Sequence, residues 1–321
     1  MKFPYYLCLG LGLSVSTSVL FAKPLPSQYS GMQNGHVDTA SLAAVQKDSE
    51  AARSTLEPTR YEAIVKDPSK ASTDAERIAA LAAREIIYMV DRSGSMGSDD
   101  NDPTGQNRKP WVLWDSAREA GKSLFEVART LDSNGKLDVF LWDADQKGPR
   151  FVHQEVSELS QLEHMFKDNQ PFGYTPLAEA LEHVYTQKLK GMLDRAEPFT
   201  VVVITDGVPD DGKGDAAAAE ERVFQFFKKL VTTHNLASKG RETLAAFSFV
   251  QAGDNKGAEK FLAALDDNMK VGYTNHKGEK QAGLGIDIID TKKDNFIFGT
   301  DEYKGKPGVG PMGIFWGAMF D

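Results

Sequence analysis

The run Phe199–Thr205 (FTVVVIT) is apolar between its two threonines and is bounded by Pro198 and by Asp206-Gly207. An uninterrupted apolar run of this length fits a strand buried on both faces, which occurs almost only in a parallel sheet covered by helices. The neighbouring sequence repeats the theme. Glu85–Val90 (EIIYMV), Lys136–Trp142 (KLDVFLW) and Thr243–Val250 read as further strands, with a last one expected near Gly285–Ile289. Phe151–Val156 reads as a short edge strand after the turn at Gly148-Pro149. Between them lie helical patterns. One carries Leu113, Ala117, Ala120, Leu124, Val127 and Leu131 at three- and four-residue steps; others cover Leu159–Phe166, Pro176–Leu189, the Val223–Leu230 stretch and Gly257–Leu265. Strands alternating with helices over this span predict an α/β protein, a three-layer, doubly wound (Rossmann-like), mostly parallel sheet. In such sheets ligands sit beyond the carboxyl ends of the strands.

The core is confined to the later part of the chain, because 25 of the 31 aromatic residues lie in residues 84–321. Lys23–Ala83 holds only Tyr29 and Tyr61 and is rich in Ala, Ser, Thr and charged residues, so a flexible or partly helical extension is expected. Its end, Asp74–Arg84, suits a helix with Ile78 and Leu81 inward. Residues 1–22 (MKFPYYLCLGLGLSVSTSVLFA) have one basic residue, an apolar centre and a small residue at the end, the pattern of a secretory signal peptide. An N-terminal membrane anchor is the alternative, with an apolar run of borderline length. No later stretch is apolar enough to span a bilayer, so the expected mature protein is secreted or periplasmic and not membrane-embedded. The absence of any Asn-x-Ser/Thr sequon also favours a bacterial exported protein. Cys8, within that leader, is the only cysteine, which excludes an internal disulfide and a cysteine-based zinc site. A net charge of −9 gives no basic footprint for nucleic acid.

Three loops, two of them at predicted strand ends, carry oxygen-bearing side chains. The first strand runs into Asp91-Arg92-Ser93-Gly94-Ser95, where alternate residues in a turn direct Asp91, Ser93 and Ser95 to one point. Gly173-Tyr174-Thr175-Pro176 precedes a helix, and the central strand ends at Thr205-Asp206-Gly207. Carboxylate and hydroxyl oxygens on neighbouring loops form a hard site, suited to Mg²⁺, Mn²⁺ or Ca²⁺ and ill suited to zinc. Two carboxylates among five donors leave such an ion under-neutralised and receptive to an outside carboxylate. Each segment alone has a plainer reading: a small polar turn, a helix start capped by Thr175, a strand–turn junction.

Taken together, DRSGS, the threonine of GYTPL and the aspartate of TDG resemble the von Willebrand factor type A (VWA) domain and its metal-ion-dependent adhesion site. The resemblance covers roughly residues 84–293. It implies a metal held at Asp91, Ser93, Ser95, Thr175 and Asp206, with the hydroxyls touching the ion and the aspartates often acting through water. It also implies that an Asp or Glu of a partner protein completes the coordination, and that the edge strand Phe151–Val156 is antiparallel. Arg92, between the motif residues, should point away from the ion. Two other functions remain open from sequence: a structural subunit of an exported assembly without metal gating, and a metal-dependent hydrolase. The second lacks a histidine or spare carboxylate pair near the motif.

Weaker signals add little. Asp100, Asp102, Thr104 and Gly105 start like a calcium loop, but its twelfth position is Trp111, so a solvated loop is expected. Asp210-Asp211-Gly212 reads as a turn bordering the site. Gly121-Lys122-Ser123 lies inside a helix and is no phosphate loop. The aromatic-rich end, Asn295–Asp321, is expected to pack on the sheet rather than to dangle.

Overall fold

A computed structural model describes residues 32–33, 36–37, 39–97, 112–131, 134–275, 277–293 and 314–315. A small antiparallel pair, β1 (Met32–Gln33) and β2 (His36–Val37), comes first. Three helices follow: α1 (Thr39–Thr55), α2 (Pro58–Lys66) and α3 (Asp74–Leu81). The main unit then runs β3 (Glu85–Asp91), α4 (Val112–Leu131), β4 (Leu137–Asp145), β5 (Gly148–Val156), α5 (Leu159–Asp168), α6 (Leu177–Val184), α7 (Lys190–Arg195) and β6 (Phe199–Thr205). It continues through α8 (Ala216–Thr233), β7 (Ala245–Gln251), α9 (Lys256–Val271), the small hairpin β8 (Gly272–Thr274) and β9 (Lys280–Ala282), and β10 (Ile289–Lys293).

Six strands form one sheet in the order β10-β7-β6-β3-β4-β5, parallel throughout except for β5. The fold is therefore α/β with a mostly parallel sheet between helical layers. All seven residues of β6 are buried, and it sits between β3 and β7, as its unbroken apolar run requires. Successive side chains feed two separate cores. Tyr88, Val90, Leu141, Val202 and Ile204 pack with α4 and α5 on one face. Met89, Phe140, Trp142, Val203 and Phe249 pack with α6, α8 and α9 on the other.

Several boundaries differ from those expected. β5 starts at Gly148 rather than Phe151, because Asp145 pairs with Gly148 across a two-residue turn and Lys147 N–H donates to Asp145 Oδ1 at 2.7 Å. Pro149 is tolerated there because β5 is an edge strand. The last strand lies at Ile289–Lys293, beyond the expected Gly285–Ile289. Gly285 has φ +72 and its N–H turns back to Lys270 O at 3.1 Å, which ends any strand before Ile289. An edge position also explains why half-polar IDTKK makes a strand. The helix expected over Pro176–Leu189 is interrupted by a wide π turn at Tyr185–Leu189 before α7.

Within the stretch predicted to be flexible or partly helical, α3 appears with Ile78 and Leu81 buried, started by a capping box between Thr73 and Glu76. The two further helices, α1 and α2, had no sequence pattern to announce them. Val45, Ile78 and Leu81 join the same core as α4, so α1 and α3 cover the helical layer on that face of the sheet. Ile314 and Phe315, the described residues of the aromatic-rich end, are buried in that core as well.

Candidate functional site

Three loops meet at the carboxyl end of the central strands. The first follows β3, where Asp91 closes the strand fully buried and Gly94–Gly97 makes a single 3₁₀ turn. The second is Phe172–Thr175, before α6. The third follows β6 and carries Asp206 and Gly207. Because β3 and β6 are hydrogen-bonded neighbours, Asp91 and Thr205 end side by side.

The middle loop is clamped on three sides. Phe172 N–H donates to Arg92 O at 2.8 Å and Gly94 N–H to Gly173 O at 3.0 Å, which joins it to the first loop. Tyr174 N–H donates to Ala144 O at 2.9 Å, which joins it to the end of β4. Asp210 N–H donates to Thr175 O at 2.9 Å, which joins it to the third loop. Gly173 makes this close approach possible: its φ is +78, and a Cβ there would lie 1.8 Å from Ala144 O.

The motif residues form one hydrogen-bonded run. Asp91 Oδ1 accepts from Ser93 N–H at 2.7 Å and Oδ2 from Thr205 Oγ1 at 2.7 Å. The hydroxyls of Ser93 and Ser95 are 3.0 Å apart, and Ser95 Oγ donates to Asp206 Oδ1 at 3.0 Å. Thr175 is buried, and Pro176, with no side-chain cap, precedes α6. A Cβ at Gly207 would come 3.5 Å from Thr175 Oγ1 and 4.0 Å from Ser95 Oγ, so this glycine keeps the ground between the two hydroxyls open. Ser95 is exposed while Asp91, Ser93, Thr175 and Asp206 are buried, so the group opens to solvent at Ser95.

All five expected residues are therefore brought together, and Thr205 joins them. Thr205 was legible only as the end of a strand; nothing in its spacing marked it as a partner of Asp91. The donor set is oxygen throughout, three hydroxyls and two carboxylates, which fits a hard divalent cation. Among the described residues no three His, Cys, Asp or Glu side chains cluster as a metal-binding group, so carboxylate-rich or imidazole centres have no counterpart there. Burial raises the Asp91 pKa above the usual 3.8, and the charge of Asp143 adds to the rise, against the bonds from Thr205 and Ser93. A carboxylate so desolvated gains strongly from a nearby cation.

Arg92 turns away from this group, as an alternating turn demands. Its Nε lies 2.7 Å from Asp143 Oδ2 and its Nη1 donates to Asn169 Oδ1 at 2.9 Å. Asp143, fully buried on β4, also accepts from Arg150 Nε at 2.6 Å. The acidic loop with Asp100, Asp102, Thr104 and Gly105 lies outside the described residues. Asp210-Asp211-Gly212 forms the expected turn, with Gly212 at φ +75 and its N–H on Asp210 Oδ1 at 2.8 Å. Gly121 lies within α4 against the Tyr88 ring, in agreement with its rejection as a phosphate loop.

No family model and no curated protein matches the chain. Among solved structures it is similar to the SpRpn10 VWA domain, at 9% identity over 66% of this chain and 87% of that one, with a TM-score of 0.41. It is similar to the PilB minor pilin from Streptococcus sanguinis, at 12% identity over 66% of this chain and 57% of that one, with a TM-score of 0.39. The manganese-loaded Plasmodium vivax TRAP protein gives 16% identity over 64% of this chain and 70% of that one, with a TM-score of 0.37. These likenesses are partial and distant. The assignment of an α/β fold with a mostly parallel sheet rests on this chain's own strand order and register.

Proposed function

We propose that the protein is an exported, divalent-cation-dependent binding module of the VWA kind that captures an acidic residue of a partner protein. Asp91, Ser93, Ser95, Thr175 and Asp206 would hold the ion, Mg²⁺ in first place and Mn²⁺ or Ca²⁺ as substitutes. The ion would supply a coordination position for the partner's Asp or Glu. Ser93, Ser95 and Thr175 offer neutral donors. Asp91 and Asp206 supply charge, and both Asp91 oxygens already accept protein hydrogen bonds, which suits a role through water.

The observation that carries this reading is the continuous run Thr205–Asp91–Ser93–Ser95–Asp206, with Thr175 beside Gly207 and the exposed Ser95 as its opening. Binding rather than catalysis is favoured by what surrounds it. His153 and His183 stack on Phe140 and Phe151 across β4, β5 and α6, and His234 bonds Tyr185, so these imidazoles are engaged elsewhere. Residues 1–22 would direct export as a signal peptide, 23–83 would form the N-terminal extension and 84–321 the VWA unit with its C-terminal segment, giving a secreted or periplasmic protein. No helix among the described residues is long and apolar enough to cross a membrane. The test is capture of acidic peptides on the immobilised protein in Mg²⁺ and in chelator: retention only with the ion supports the function, and equal retention in both contradicts it.

A further inference from the structure

Among the described residues three large hydrophobic side chains are exposed: Phe172 at 57%, Tyr174 at 36% and Val271 at 77%. Val271 stands alone at the end of α9. Phe172 and Tyr174 instead flank Gly173 on the loop that ends in Thr175. Apolar area placed in water costs about 25 cal/mol per Å² relative to burial, so two exposed rings on one tight loop call for a reason.

Both rings are held in place. The Arg150 guanidinium lies 4.9 Å from the centre of the Phe172 ring, and Arg150 is itself anchored to the buried Asp143. Asp143 in turn meets Arg92, so the support under Phe172 reaches back to the first site loop. Tyr174 lies against the third loop, where a Cβ at Gly212 would come 2.7 Å from its Cε2. The backbone between the two rings is fixed by the bonds of Phe172 N–H to Arg92 O and Tyr174 N–H to Ala144 O. Rigid, pre-placed aromatic and arginine side chains are the residue types that dominate binding energy at protein interfaces, since little entropy is lost when they are covered.

We propose that Phe172 and Tyr174, with Arg150 beneath Phe172, form the partner-selecting rim of the site, and that the segment they recognise is a peptide carrying an aromatic side chain close to its metal-seeking Asp or Glu. This rests on the carboxylate-capture reading above. Phe172 is three positions from Thr175, and an extended chain spans at most about 3.6 Å per residue. The two positions are therefore no more than about 11 Å apart, and a partner that binds as an extended chain covers that span with its aromatic about three positions or fewer from its acid. Aromatic rather than aliphatic contact is favoured because ring–ring packing adds to area burial and tolerates the offset and edge geometries that two rings permit.

The experiment is selection of a phage-displayed library of random linear peptides on the protein in Mg²⁺, with elution by chelator, on wild type and on Phe172→Ala in parallel. Tyr174→Ala is the second variant, and a Mg²⁺ titration and melting curve confirm that each variant keeps the fold and the ion. The wild type is expected to enrich peptides with Trp, Tyr or Phe within three positions of an Asp or Glu. Phe172→Ala should lose that aromatic bias and weaken the best peptide about tenfold while still requiring the ion. An acidic, ion-dependent consensus without an aromatic, or one unchanged in both variants, overturns this inference and leaves the capture reading standing. Recovery of peptides that ignore the chelator overturns the capture reading, and this inference with it.

Discussion

Thr205 Oγ1 donates a 2.7 Å hydrogen bond to Asp91 Oδ2, linking the end of β6 to the end of the neighbouring β3. Both residues are fully buried, and the second Asp91 oxygen is taken by Ser93 N–H. The carboxylate's orientation is thus set in part by a residue outside the proposed ligand set. Thr205→Val keeps the buried volume and deletes the donor, so Mg²⁺ affinity should fall by about tenfold or more, in line with lost outer-shell partners of metal ligands. Thr205→Ser should restore it. Calorimetric titration of the two variants checks this; equal affinity in Thr205→Val would remove Thr205 from the site's architecture.

Gly173 is the joint of the three loops. With φ at +78 and a Cβ that would sit 1.8 Å from Ala144 O, no other residue fits without displacing the clamp. Gly173→Ala is expected to cost about 2 kcal/mol or more of stability and to abolish divalent-ion binding, since Thr175 moves with the loop. Thermal melting and ion titration together test this. A variant with normal melting and normal binding would show that the loop tolerates another path.

Ile78, fully buried in α3, shares a core with Val45, Tyr88 and Leu124. Ile78→Ala should lower stability by about 2–4 kcal/mol and shift one cooperative urea transition rather than create a second. Two separate transitions would mean that residues 39–83 fold apart from the sheet.

Asp266 on α9 accepts from Thr291 N–H and Thr291 Oγ1, both at 2.9 Å, yet its pKa is raised from 3.8 to about 6. Burial is the main cause, and the charges of Asp290 and Asp287 add to it. The folded state therefore disfavours ionised Asp266. The cost is absent well below the ordinary carboxylate range, grows as pH rises from there to about 6, and is full at neutral pH. Asp266→Asn keeps an oxygen for Thr291 and removes the charge. It should melt higher than wild type near neutral pH, with the gain shrinking as pH approaches the ordinary carboxylate range. A gain independent of pH would contradict the electrostatic origin.

What could be read from the chain followed from where apolar runs stop. FTVVVIT marked β6, and the short polar motifs DRSGS and TDG marked the loops at strand ends, because a buried parallel strand has nowhere to place such residues except at its end, while GYTPL was marked by the proline that opens α6. Thr205 was hidden by the same logic, since a threonine closing an apolar strand is ordinary. The Arg92–Asp143–Arg150 contacts join a loop to two strands through tertiary pairing, which no local spacing reports. Helices α1 and α2 escaped because their buried face is built from a few residues such as Val45, Ala52 and Ile64 rather than a long apolar stripe. The shift of β10 reflects an edge strand whose pattern is partly polar.

The most direct measurement is calorimetric titration of Mg²⁺, Mn²⁺ and Ca²⁺ into chelator-treated protein, beside the double variant Asp91→Ala, Ser93→Ala. Saturable binding by wild type, lost in the variant while its far-UV circular dichroism is unchanged, is the predicted result. Absence of binding in wild type, or binding that persists in the variant, would contradict a metal centre at these strand ends.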